Sequence, residues 1–104
     1  MDAAQLERLA MAAEEGGEIG KAVGKAIRFG PDSRFPADGS TNMEQLRAEM
    51  ADLIAVSWMM AAAGDIAPIS EDEVLTAIAR KMAHARHQDE LVVSLGECGI
   101  EVPS

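Results

Sequence analysis

Apolar residues recur at three- and four-residue intervals over three stretches of the chain. Short segments rich in Gly, Pro, Asp and Ser separate them, which is the pattern of an all-α protein. The first stretch predicts a helix from about Asp2 to Phe29, with Asp2 as N-cap and Gly30-Pro31 as the stop. At about 100° per residue, Leu6, Leu9, Ala13, Gly20, Val23, Gly24 and Ile27 fall on one side of it. Met11, Glu14, Glu15, Glu18, Ala22 and Lys25 fall on the other, so the acids share a face. Gly16, Gly20 and Gly24 recur every fourth residue, and each costs up to about 1 kcal/mol in a helix interior. Either another helix approaches closely along that stripe, or the helix kinks near Gly16-Gly17.

Residues 30–41 read as a loop, the kind of segment that carries a lid or ligand contacts. A second helix is expected over about 42–63, opened by the capping-box spacing of Thr41 with Glu44 or Asn42 with Gln45 and closed by Gly64, Asp65 and Pro68. Its second half is apolar on every side, more than a small three-helix monomer can bury, which predicts self-association. Trp58, Met59 and Met60 then serve the interface or core, or else line a base pocket. Ser70 with Glu73 forms a capping box for a third helix over about 71–91, with Leu75, Ile78, Met82 and Ala85 as its apolar stripe. In the tail, 92–104, Gly96 and Gly99 suggest turns around a short helix or strand. The expectation is one all-α domain over 1–104, a helical hairpin plus a third helix, assembling into an oligomeric bundle.

Composition narrows this. Hydrophobic residues make up 48% of the 104 but aromatics only 3%, so the core has to come from Ala, Leu, Ile, Val and seven Met, a helix-favouring set. A formal charge of −9 argues against a nucleic-acid binder and against an anionic membrane surface. The longest apolar run, Leu53 to Ala63, is too short to span a bilayer, and the acidic N-terminus does not read as a secretory leader. Cys98 stands alone, which permits no intramolecular disulfide and suits a reducing cytoplasm. No base is placed beside it, so it reads as a bystander thiol. His84 and His87 sit three apart among basic neighbours and lack a third ligand; they read as helix-end or solvent-facing groups.

The candidate chemistry lies in two acidic pairs. Glu15 and Glu18, then Glu49 and Asp52, are each spaced i and i+3, so each pair points two carboxylates to one side of a helix. Four carboxylates brought together repel one another unless a cation sits among them. Oxygen donors without Cys or His favour Mg²⁺, Mn²⁺ or Ca²⁺ over zinc. The plain alternative is two solvated helix faces.

Glu14-Glu15-Gly16-Gly17-Glu18 reads as EExxE and Glu49-Met50-Ala51-Asp52 as ExxD. Together they resemble the all-α nucleotide pyrophosphohydrolases: the MazG-like proteins, their phage-type relatives and the dimeric dUTPases. The run from Lys21 through Lys25 and Arg28-Phe29-Gly30 is similar to the phage or small-bacterial branch. The resemblance implies Mg²⁺-dependent cleavage of a nucleoside triphosphate between the α and β phosphates, giving a monophosphate and pyrophosphate, by homodimers or homotetramers. It implies Glu15, Glu18, Glu49 and Asp52 as ligands of one or two metal ions. Glu14 is then a general base, a group that orients a metal-bound water, or a solvated neighbour. Lys25 and Arg28 reach the phosphates or serve as helix C-terminal cations, and Lys81 is a further phosphate candidate. For the base, Phe29, Phe35, Asn42 and Trp58 are the groups at hand. Competing readings are a phosphoribosyl-ATP pyrophosphohydrolase, a non-catalytic metal-binding helical oligomer, and a di-iron bundle, which would want ExxH pairs.

Overall fold

The computed structural model describes residues 1–101, and 102–104 of the expected tail lie outside them. Among the described residues there are four helices and no strand: α1 (Ala3–Phe29), α2 (Asn42–Ala62), α3 (Glu71–His84) and α4 (Leu91–Glu97). The fold is all-α. Contacts divide the chain into two compact units, Met1–Pro68 and a second beginning at Ile69.

In the first unit α1 packs against α2. Asp2 accepts from the Gln5 amide at 2.8 Å to open α1, which then runs as one helix through Gly16 and Gly17. Gly30, at φ 94°, ends it by donating its N–H to Ala26 at 3.0 Å, a conformation glycine adopts without steric cost. Thr41 caps α2 by accepting from the Glu44 amide at 3.1 Å, while its hydroxyl donates to the Glu44 carboxylate. At the far end Gly64 (φ 82°) donates to Ala61 and Asp65 to Met60, the paired bonds of a Schellman stop.

The connecting loop is tied down. Phe35 N–H donates to Ser40 and Gly39 N–H to Phe35, both at 2.8 Å, and the Asn42 amide bonds Ser33 at 3.0 Å. The Asn42 side chain donates to the Gly30 carbonyl at 2.8 Å, locking the end of α1 to the start of α2.

α1 turns its acid-bearing side toward α2, the orientation that bringing the acid pairs together requires. Its inner side carries Arg8, Met11, Glu15, Glu18, Ala22 and Lys25, all buried or half-buried. The apolar side faces outward, with Leu6 at 58% and Ile27 at 79% exposure. A Cβ built at Gly16, Gly20 or Gly24 meets nothing within 4 Å, so the expected close approach along the glycine stripe is not made within the described chain. The expected kink does not interrupt the helix either. Among the described residues only Ala22 and Val56 are buried apolar residues, and Met50, Ile54 and Trp58 of α2 are exposed.

In the second unit the Ser70 and Glu73 capping box forms as expected. α3, however, stops at His84 instead of continuing to about Leu91: Ala85 is extended, at ψ 148°. The physical reason is that Arg86 to Glu90 are five polar residues in succession, with no apolar side to hold further turns against a neighbour. Helix resumes at Leu91 and ends before Cys98. No helix among the described residues is long and apolar enough to cross a membrane.

Candidate metal and nucleotide site

The inner sides of α1 and α2 bring three acids to one place. Glu15, Glu49 and Asp52 each offer a carboxylate oxygen, and these oxygens lie within 4.8 Å of one another. Glu49 and Asp52 share a side of α2 because they are three residues apart, and α1 sets Glu15 opposite them. Glu15 is the most constrained of the three. Its Oε2 is closed off from solvent and accepts no hydrogen bond. Loss of hydration, then repulsion from Asp52 and Glu49, push its carboxyl above the usual Glu range. An anionic group held this way is satisfied by a proton or by a cation.

A cavity of about 70 Å³ opens beside this trio, lined by Glu18, Glu49, Lys21, Lys25 and, at the loop end, Phe35, Asn42 and Gln45. A second cavity of about 220 Å³ shares Lys25, Phe35 and Asn42 and extends beneath Phe29, Ser33, Arg34 and Pro36. The Lys25 ammonium lies 4.9 Å from the centre of the Phe35 ring, a cation–π contact that holds it at the junction of the two. Carboxylates at one end and two ammonium groups beside them suit a ligand that is itself polyanionic and carries a cation.

Of the residues singled out by sequence, Glu15, Glu49 and Asp52 come together. Glu18 lies outside the trio but lines the adjacent cavity with Glu49 and Lys25. Glu14 is exposed on α1. Arg28 is exposed with its guanidinium 5.1 Å from the Phe29 ring and lines neither of these cavities. Lys81 is exposed on α3, in the second unit. Lys21 was missed by sequence reasoning, although it follows Glu18 by three residues and so shares its side of α1.

One internal ion pair also joins α1 to the end of α2. Arg8 donates through Nε to Asp65 Oδ2 and through Nη2 to Oδ1, the latter at 2.9 Å, a two-pronged contact. Asp65 is almost wholly buried, and the guanidinium holds its carboxyl below the usual range.

An all-α fold with an acidic cluster between two helices is the class to which the comparison with protein families also leads. Residues 4–90 match the MazG nucleotide pyrophosphohydrolase domain, and the chain belongs to that family. It is accordingly a hydrolase of phosphoric anhydrides. No curated protein and no solved structure matches it significantly.

Proposed function

We propose that the protein is a Mg²⁺-dependent pyrophosphohydrolase of (deoxy)nucleoside triphosphates, releasing a monophosphate and pyrophosphate, with Mn²⁺ an acceptable substitute. The observation that carries this is the unpartnered, solvent-excluded Glu15 oxygen facing Glu49 and Asp52, beside a cavity that holds Lys21 and Lys25. Three hard oxygen donors without Cys or His fit Mg²⁺ or Mn²⁺. Glu15, Glu49 and Asp52 would hold the ion, and Glu18, one turn along the same side of α1, is the fourth carboxylate of the set. The bound ion supplies neutralisation of phosphate charge and a more acidic attacking water.

The remaining work belongs to the chain. Lys21 and Lys25 bind and orient the phosphate oxygens, so that water attacks the α phosphorus in line as the bond to the bridging α–β oxygen breaks and pyrophosphate leaves. Glu14, exposed beside Glu15 on α1, is the candidate to take the proton that the water releases or to orient that water. Homodimers or homotetramers complete the assembly. The support is that the only apolar residues α1 and α2 bury are Ala22 and Val56, while Ile27 and Trp58 are more than 70% exposed, too little core for an independent fold.

The test is pyrophosphate release from a panel of nucleoside triphosphates with Mg²⁺, beside a Glu49→Gln control of unchanged oligomeric state. Release that vanishes in the control supports the reading; release that persists there, or none from any triphosphate, overturns it.

A further inference from the structure

The loop and the start of α2 arrange two side-chain amides whose orientation is fixed by chemistry. Asn42 is 4% exposed and sets its Nδ2 2.8 Å from the Gly30 carbonyl. A carbonyl can only accept, so the nitrogen has to face it and Asn42 cannot be flipped. Gln45 sets its Nε2 2.6 Å from Ser40 Oγ. That hydroxyl is already a donor to Asp38 Oδ1 at 2.7 Å, so it must accept from Gln45, and Gln45 is fixed as well. Asp38 is itself held, taking the Ser40 amide at 3.0 Å. With both nitrogens anchored, the carbonyl oxygens of Asn42 and Gln45 make no hydrogen bond among the described residues. Both residues line the cavity that begins at Glu18 and Glu49, with the Phe35 ring in the same wall.

We propose that Asn42, Gln45 and Phe35, at the loop end of this cavity and away from its acidic end, read the nucleobase, and that they favour bases with an exocyclic amine (adenine, cytosine and guanine) over thymine and uracil. The inference rests on the pyrophosphohydrolase reading for the identity of the ligand. Two oriented acceptors call for donors, and an exocyclic amine carries two N–H groups. The pairing edge of thymine or uracil has one N–H between two carbonyls, so it sets carbonyl oxygen against amide oxygen. Phe35 offers a face for stacking that is indifferent to the base. Lys25 now lies over this ring, and a triphosphate that draws its ammonium toward phosphate frees the ring for the base.

Discrimination of this kind, in which a wrong partner leaves polar groups unpaired, amounts to about ten-fold or more. Ser40 is a positioning residue: its loss as Ser40→Ala removes the acceptor that orients Gln45 and lets the amide turn to suit thymine or uracil.

The experiment measures kcat/KM for dATP, dCTP, dGTP, dTTP and dUTP in wild type, Ser40→Ala and Gln45→Leu. It is paired with calorimetric Kd values for the non-hydrolysable α,β-imido analogues of dATP, dCTP and dUTP in Mg²⁺. The expected result is an advantage of about ten-fold for the three amine-bearing bases in wild type, shrinking to about three-fold or less in both variants. Equal or better use of dTTP and dUTP by wild type overturns the inference, as does a uniform loss across all five in both variants. Absence of turnover from every triphosphate defeats the pyrophosphohydrolase reading, and the analogues then decide the base preference alone: tighter binding of the dATP and dCTP analogues sustains it, while flat or absent binding overturns it.

Discussion

Two sets of charges lie where α1 meets α2 and its C-terminal end, and they are treated in opposite ways. At one end Arg8 meets Asp65 in a two-pronged pair that satisfies both oxygens of a nearly buried carboxylate and holds it ionised. Midway along, Glu15, Glu49 and Asp52 converge with no counter-charge among them, one oxygen of Glu15 has no partner, and its carboxyl is driven up. Removing charge from water is costly unless it is paired. The first set is therefore complete as it stands and serves the fold. The second is complete only with something the chain does not itself supply, which is the mark of a binding site.

The contrast can be broken experimentally, and the largest effect should fall on turnover. Glu49→Gln is expected to lower pyrophosphate release at least about 100-fold, whereas Arg8→Gln leaves the kcat of the folded enzyme close to wild type. A Glu49→Gln protein that keeps its activity would place the chemistry elsewhere. Lys25→Met comes next, with a loss of about ten-fold in kcat/KM, because a charged hydrogen-bond donor to phosphate is gone; steady-state kinetics on the best substrate measure it.

Stability should separate the two sets further. Mg²⁺ or Mn²⁺ is expected to raise the Tm of wild type and to do little for Asp52→Asn, since a ligand that binds only the folded state stabilises it in proportion to its saturation. In metal-free buffer the sign of the pH response also differs. The folded chain binds the Glu15 proton more tightly than the unfolded one. Stability is therefore fully present below the ordinary Glu range and falls as pH rises through the raised value. Glu15→Gln should flatten that decline and melt above wild type at neutral pH. Asp65 behaves in reverse: its contribution is present above the ordinary Asp range and is lost as pH falls through the depressed value. The Tm gap between wild type and Asp65→Asn should close on acidification, and a gap independent of pH would deny the ion pair its role. The smallest effect expected is that of Arg28→Gln on kcat/KM, within about two-fold, because its guanidinium is exposed over Phe29 and lines neither of the two cavities.

The sequence by itself determined what is local. Helix starts at Asp2, at Thr41 or its neighbour Asn42, and at Ser70, the stops at Gly30 and Gly64, and the i, i+3 acid pairs depend on neighbours within one or two turns, so they are legible in a single sequence. The tertiary structure decided which side of α1 faces α2. The metal reading of the acid pairs called for the Glu15 side and the glycine stripe offered the side of Gly20 and Ile27; the side against α2 is the one that carries Glu15 and Ala22. Helical periodicity says which residues share a side but not which neighbour that side meets, because burial depends on every apolar surface available, including those of other chains. For the same reason the pairing of Arg8 with Asp65 across 57 residues, the separation of Glu18 from the carboxylate trio, and the amides fixed by Gly30 and Ser40 had no signature in spacing. Each depends on two segments meeting in one register, and that is settled only when α1, the loop and α2 pack together.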